Sequence, residues 1–190
     1  MNHVYRLLIP ALWISWWLYW KLAAFNVKPT ARRESVASRL SHILPLLLAA
    51  LLLACPDRHE NPLFALVWQR SAGTFWGGVA LIAAGLGFTV WARRVLGRNW
   101  SATVTIKTGH ELVQTGPYRW VRHPIYTGLL LAFAGSAVAL AEWRGLLSFA
   151  LALAAFVVKL RIEERWMIEV FGPAYDQYRQ RVRGLIPFVW

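Results

Sequence analysis

The sequence predicts an all-α fold, a polytopic membrane bundle of about five transmembrane helices followed by a cytoplasmic C-terminal helical region. Two observations carry this. Of the 190 residues, 57% are hydrophobic and only 16% charged, more apolar matter than one small water-soluble core holds. The apolar residues also fall in runs of near-spanning length, from Leu7 to Phe25, Leu40 to Cys55, Thr74 to Ala92, Ile125 to Ala141 and Gly145 to Leu160.

The first run lacks a small-residue cleavage site after it and is expected to stay as a helix. The second and fifth fall short of the roughly 20 residues that cross a bilayer. Each is therefore expected to be shallow or re-entrant unless its flanks, with Lys159 snorkelling, complete it. The fourth and fifth are joined only by Glu142, Trp143, Arg144 and Gly145, which predicts a tight antiparallel hairpin. Gly73, Gly77, Ala80 and Ala84 are the small residues expected to let the third helix approach a neighbour. Twelve Trp residues suit rings that sit between hydrocarbon and headgroups.

Charge sets the orientation. Lys28, Arg32, Arg33 and Arg39 lie between the first two runs, and Arg93, Arg94, Arg98, Lys107, Arg119 and Arg122 follow the third. Arg161, Arg165, Arg179, Arg181 and Arg183 follow the fifth, while the Pro56 to Gly73 loop and the Glu142 to Gly145 turn are nearly neutral. Five crossings with the N-terminus outside and the C-terminus cytoplasmic put every basic segment on one side. The net charge of +12 thus points to contact with membrane lipids of an anionic leaflet and away from nucleic acid. The single cysteine, Cys55, excludes an intramolecular disulfide and leaves no metal cluster. The chain divides into N-terminal helices (1–92), acting as support or substrate gate, and a C-terminal region (93–190) that carries the chemistry.

Polar groups of a membrane enzyme gather at a helix mouth or in a protein-lined cavity. Two segments qualify. In the first, Gly116-Pro117 reads as a turn and Pro124 as the first turn of the fourth helix, which brings Tyr118, Arg122, His123 and Tyr126 to its mouth. A helix N-terminus seats a carboxylate well; equally, Arg119, Arg122 and His123 hold headgroups. In the second, Glu163 and Glu164 follow directly on an apolar helix, where acids are costly unless paired or functional. Lys159 and Glu163, four apart, share a face and read as an i, i+4 pair; alternatively Arg161, Glu163, Glu164, Arg165 and Glu169 form a solvated helix. The tail with Trp166, Phe171, Tyr175, Tyr178, Val182 and Ile186 is amphipathic, fit either to lie on the leaflet or to cover an aromatic ring.

The ordered run His110-x-Leu112-Val113, Gly116-x-Tyr118, Arg122-His123-Pro124-x-Tyr126-x-Gly128, an apolar hairpin, paired glutamates, Phe171-Gly172-x-x-Tyr175-x-x-Tyr178, Val182 and Ile186-Pro187-Phe188 resembles the isoprenylcysteine carboxyl methyltransferases. Phospholipid N-methyltransferases share similar C-terminal features. The resemblance covers the C-terminal half and implies a membrane methyltransferase that binds S-adenosyl-L-methionine at the cytoplasmic ends of the last helices. It implies cofactor contacts from His110, Glu111, Leu112, Val113, Tyr118, His123, Pro124, Ile125, Tyr126 and Glu163. It places a substrate-binding arginine four residues before the first glutamate, where this chain has Lys159, which keeps the charge without the bidentate fork. Arg161 is a candidate to share that role.

The acceptor implied is a lipophilic small molecule or prenylated substrate. A carboxylate acceptor is already ionised at neutral pH and needs no base, whereas an amine must first lose a proton, for which Glu164 or His123 is the candidate base. Membrane sterol reductases, which bind a reduced nicotinamide, carry a similar Arg-His-Pro turn and form a further alternative, as does a non-enzymatic membrane subunit.

Overall fold

The structure, a computed structural model, describes residues 3–25, 27–56 and 61–186, so the Pro187-Phe188 end of the tail motif lies outside the described residues. Each of the five apolar runs is helical: α1 (His3–Ala23), α2 (Val36–Ala54), α3 (Ala72–Leu96), α4 (Pro124–Leu140) and α5 (Trp143–Phe171), followed by α6 (Pro173–Arg181). Among the described residues, three helical stretches are long and apolar enough to cross a membrane: α2, α3 with the turn that extends it to Asn99, and α5. The apolar part of α1, Leu7–Ala23, and α4 are shorter. This reverses the expected order of lengths, because a helix does not stop where apolar residues do. Ser35 caps α2 upstream of its apolar run by accepting the Ser38 N–H, and α5 runs unbroken through Arg161, Glu163 and Glu164 to Phe171. On α2 the leucines at 40, 44, 47, 48 and 51 are exposed along one face, a stripe suited to lipid rather than water.

Helix α4 packs between α3 and α5, α2 lies against α5, and α1 leans on α3. The α3–α4 seam is built from glycines. A Cβ on Gly85 would lie 2.4 Å from the Gly128 carbonyl oxygen, and one on Gly78 2.5 Å from that of Gly135, so the two backbones approach as only glycine allows. The expected small residues are on another face: nothing lies near Gly77, Gly73 meets only the Ser71 hydroxyl, and Ala80 and Ala84 are exposed. The principle held, but the apolar sequence around these positions does not reveal which way the helix is turned.

Two tryptophans expected at the headgroups turn inward instead. Trp13 Nε1 donates to the Ser136 hydroxyl at 3.1 Å and Trp16 Nε1 to that of Thr89 at 2.6 Å, fastening α1 to α4 and α3. The hairpin between α4 and α5 forms, with Ala141 at φ 58°. Its turn is not a neutral surface loop, because buried Glu142 pairs with both Arg70 and Arg144. Arg144 in turn donates to the Leu52 and Cys55 carbonyls at the end of α2, satisfying acceptors that the helix end leaves open.

The fold is mostly helical, but not purely so. β1 (Thr30–Arg33) pairs antiparallel with β2 (Thr105–Lys107), Arg33 opposite Thr105, with a register shift between Thr30 and Arg32. Strands of four and three residues are too short to show alternation, and their pairing depends on Glu34. Its backbone N–H donates to the Val104 carbonyl, and its buried carboxylate accepts the Val104 N–H and the Ser38 hydroxyl and hydrogen bonds to His42.

Candidate active site

Pro124 opens α4 and leaves His123 at the N-cap, outside the helix proper. The strand-like bridge from Val121 to Arg183 fixes this entry. Arg122 N donates to the Arg183 carbonyl at 2.8 Å and His123 N to that of Gly184 at 3.0 Å. The tail after α6 therefore orients the Arg-His-Pro turn against α5.

Side chains from this turn, from α4 and from α5 meet there. The Tyr126 hydroxyl donates to Glu163 Oε1 at 2.6 Å. His123 lies between the two acids, Nδ1 3.5 Å from Glu163 Oε2 and Nε2 3.2 Å from Glu164 Oε1. Its ring stacks on Tyr126, which stacks on Phe156. Lys159 Nζ is 3.9 Å from Glu163 Oε1, a loose version of the pair expected at i, i+4, and makes its closer bond, 2.7 Å, to the Ala102 carbonyl. Burial alone would hold the His123 imidazole below its ordinary pKa. The hydrogen bonds and charges of Glu163 and Glu164 outweigh it and push the pKa up. When protonated, the ring donates from both nitrogens, and His123 then bridges two acids that would otherwise repel one another.

These groups form one end of a cavity of about 1440 Å³. His110, Glu111, Leu112, Val113, Tyr118, His123, Pro124, Ile125, Tyr126, Lys159 and Glu163 all line it. His110 accepts the Lys107 N–H on Nδ1 and stands edge-on to Phe171; burial, with Lys28 and Lys107 nearby, lowers its pKa. The Glu111 carboxylate is largely exposed and bridges Lys28 and Asn99. Tyr118 is buried, its hydroxyl pushed up by that burial, and its carbonyl accepts the Tyr178 hydroxyl. Beyond this end the middle walls are apolar, from Trp13 on α1, Leu46 and Leu53 on α2, and Leu129 and Phe133 on α4, and the far end is lined by the paired Arg70, Glu142 and Arg144.

Arg161 and Glu164 stand apart. Neither lines the cavity; both face a separate cleft of about 670 Å³ between α5 and α6. Glu164 is held there by Arg122, whose Nε donates to it at 2.7 Å, and by Arg179 at 3.5 Å, so it meets the site through His123 and through Arg122, which also lines the cavity. Arg161 is exposed. Several wall residues escape sequence reasoning. Ala102 acts through its carbonyl, which no residue type advertises. Arg122 is expected from sequence at the mouth of the fourth helix, but its pairing with Glu164 is not. Tyr175 and Tyr178, left open between two uses, both line the cavity.

The family described as phospholipid methyltransferase matches residues 74–174. The chain belongs to the phospholipid methyltransferase family. The matched stretch contains α3 from its third residue, α4 and α5, and with them His110, His123, Tyr126, Lys159 and Glu163, whereas Glu34 and His42 precede it. Among relatives, the chain is 33% identical over 115 residues to protein-S-isoprenylcysteine O-methyltransferase of Saccharomyces cerevisiae, covering 59% of this chain and 48% of that protein. It is 44% identical over 72 residues to methanethiol S-methyltransferase 1 of Bradyrhizobium diazoefficiens, covering 37% and 24%. The first of these relatives agrees with the family resemblance read in the sequence; the second is not anticipated by it. The chain spans about half the length, or less, of the curated relatives it matches. A eukaryotic intramembrane Ras methyltransferase, isoprenylcysteine carboxyl methyltransferase, shares the fold, with TM-score 0.53, 23% identity and coverage of 90% of this chain and 53% of that one.

Proposed function

We propose that this protein is an integral membrane methyltransferase that uses S-adenosyl-L-methionine to methylate a lipophilic acceptor, most specifically the carboxylate of a prenylcysteine-like substrate. The observation that carries the reading is the meeting of His123, Tyr126, Lys159 and Glu163 at one end of a cavity whose middle walls are apolar and whose other polar end is the Arg70, Glu142 and Arg144 cluster. The residues present fit the cofactor. Glu163 offers a carboxylate to ribose hydroxyls or an ammonium, Tyr118, Tyr175 and Tyr178 offer rings to a base, and His110 to Val113 offer backbone and side-chain contacts. When bound, S-adenosyl-L-methionine supplies an electrophilic methyl on a sulfonium leaving group.

What the protein must add is alignment. Lys159, with one proton held by the Ala102 carbonyl, donates to one oxygen of the acceptor carboxylate and turns the other toward the methyl. Tyr126 and His123 hold Glu163 in place, and the apolar walls exclude water and take the tail. Arg161 lies too far round α5 to share the role of Lys159. In this reading all five helices cross the membrane, with the N-terminus outside and the site cytoplasmic, and residues 1–92 wall the cavity into which residues 93–190 set the chemistry. The similarity to methanethiol S-methyltransferases raises a thiol acceptor as a second reading, but a cavity of about 1440 Å³ suits a long apolar tail better than a one-carbon thiol.

Purified protein given labelled cofactor and, in separate reactions, a prenylcysteine analogue, phosphatidylethanolamine or methanethiol tests this. Label on the prenylcysteine that mild alkali releases is the expected result. Alkali-stable label on the phospholipid, or a volatile labelled sulfide, overturns the acceptor. No calorimetric binding of the cofactor, or binding of a reduced nicotinamide in its place, overturns the activity.

A further inference from the structure

We propose that the cleft between α5 and α6 binds a phosphate group of an anionic ligand, as a second site beside the cavity, with Arg122 in the wall between them. Four arginines line it, Arg122, Arg161, Arg179 and Arg183, against two carboxylates, Glu164 and Asp176. Their commitments differ. Arg122 is spent on Glu164 and the Val182 carbonyl, and Arg179 is shared between Glu164 and Asp176. The guanidinium groups of Arg161 and Arg183 have no hydrogen-bond or ion-pair partner among the described residues, and both residues are exposed. Two free forks therefore open into one concave site in which the acids are already engaged. A guanidinium fork matches the paired oxygens of phosphate, and a cleft of about 670 Å³ holds more than a carboxylate.

Depth points to the source. Leu160, which lines the cleft, ends the apolar stretch of α5, and Arg161 follows it directly. The cleft thus begins where hydrocarbon gives way to headgroups, a level at which basic side chains meet anionic lipid. Free phosphate has the same chemistry, and the test separates the two. The proposal uses no methyl-transfer step and stands or falls apart from the proposed function.

Purified protein in a neutral detergent is titrated with short-chain phosphatidylglycerol, short-chain phosphatidylcholine or inorganic phosphate, and its melting temperature followed. Phosphatidylglycerol is expected to raise it saturably and phosphatidylcholine not, since the choline ammonium is repelled by the arginines; a rise with inorganic phosphate alone would assign the site to the free anion. In the double variant R161Q/R183Q the apparent affinity is expected to fall roughly tenfold or more, the loss of charge-assisted hydrogen bonds. Arg165 and Arg181 do not line the cleft, so R165Q/R181Q, which removes equal charge, should keep the response within about twofold. Because the guanidinium groups of Arg161 and Arg183 have no partner among the described residues, the unliganded melting temperature checks that the variant is folded. No response to either anion, equal response to phosphatidylcholine, or equal loss in both double variants overturns the proposal.

Discussion

His123 Nδ1 lies 3.5 Å from Glu163 Oε2, joining the turn that enters α4 to the acid at the polar end of α5. The contact places two residues from separate elements within reach of one small molecule. Glu163 also accepts the Tyr126 hydroxyl at 2.6 Å, so its carboxylate is oriented from two directions before any ligand arrives. Such preparation lowers the ordering that binding requires.

Glu163→Gln keeps an acceptor for Tyr126 and removes the charge that would meet an ammonium or ribose hydroxyl. A hydrogen bond to a charged group contributes about 1.5 to 3 kcal/mol, so cofactor affinity is expected to fall roughly tenfold to a hundredfold. His123→Ala should act in the same direction, with both variants folded and inserted. Unchanged calorimetric titrations would remove the pair from the cofactor site.

Lys159→Ala should separate the two ligands. Its amine already serves the Ala102 carbonyl and stands 3.9 Å from Glu163, leaving donor capacity for an acceptor carboxylate. The acceptor KM is expected to rise by roughly tenfold or more while cofactor Kd stays within about twofold. Equal loss of both would show that Lys159 organises the cofactor instead.

The pH dependence of stability follows from His123. Burial opposes its charge, but the two glutamates outweigh burial and raise its pKa above the ordinary 6.5. The native protein thus binds this proton more tightly than the unfolded chain. The resulting stability is fully present below pH 6.5 and is lost as pH rises through the higher folded value. Melting temperature measured from pH 6 upward should decline more steeply in the native protein than in His123→Gln. Parallel profiles would mean that the imidazole is not charged in the fold.

The α3–α4 seam offers a test of packing remote from the chemistry. In Gly85→Ala the new methyl would meet the Gly128 carbonyl oxygen at 2.4 Å and the Ala132 nitrogen at 2.8 Å, both backbone atoms that cannot turn aside. Overpacking of this kind typically costs about 1 to 3 kcal/mol. Gly77→Ala, with nothing within 4 Å, should leave the melting temperature unchanged or slightly raised. A similar loss in both would point to helix flexibility rather than contact.

The polar residues of the site were legible because charge is costly beside an apolar run: Glu163 and Glu164 after the fifth run, His123 before Pro124. Helix existence was legible for the same reason, from apolar stretches. Facing was not. Gly78 and Gly85, not Gly73 and Gly77, make the α3 seam, and Arg161 and Glu164 turn from the cavity that Lys159 and Glu163 face. In a helix surrounded by hydrocarbon and apolar neighbours alike, sequence carries little contrast between the two environments. Backbone contributions were invisible for a different reason, since any residue offers the carbonyl that Ala102 supplies.

Glu34 tests how far the site depends on residues outside the family match. Its carboxylate accepts the Val104 N–H at 2.9 Å and the Ser38 hydroxyl at 2.7 Å and lies 3.0 Å from His42 Nε2. Its burial would raise the carboxyl pKa, but these bonds hold it below the ordinary value. The bond to Val104 fixes the segment that carries Ala102, and Ala102 in turn holds Lys159. In Glu34→Gln one oxygen becomes an amide donor, so one of these donors loses its acceptor, at about 1 to 3 kcal/mol for a buried group. The melting temperature should fall, and the acceptor KM should rise with Lys159 displaced, while cofactor affinity holds. A fall in melting temperature with KM unmoved would make Glu34 a clip for β1 and β2 and nothing more.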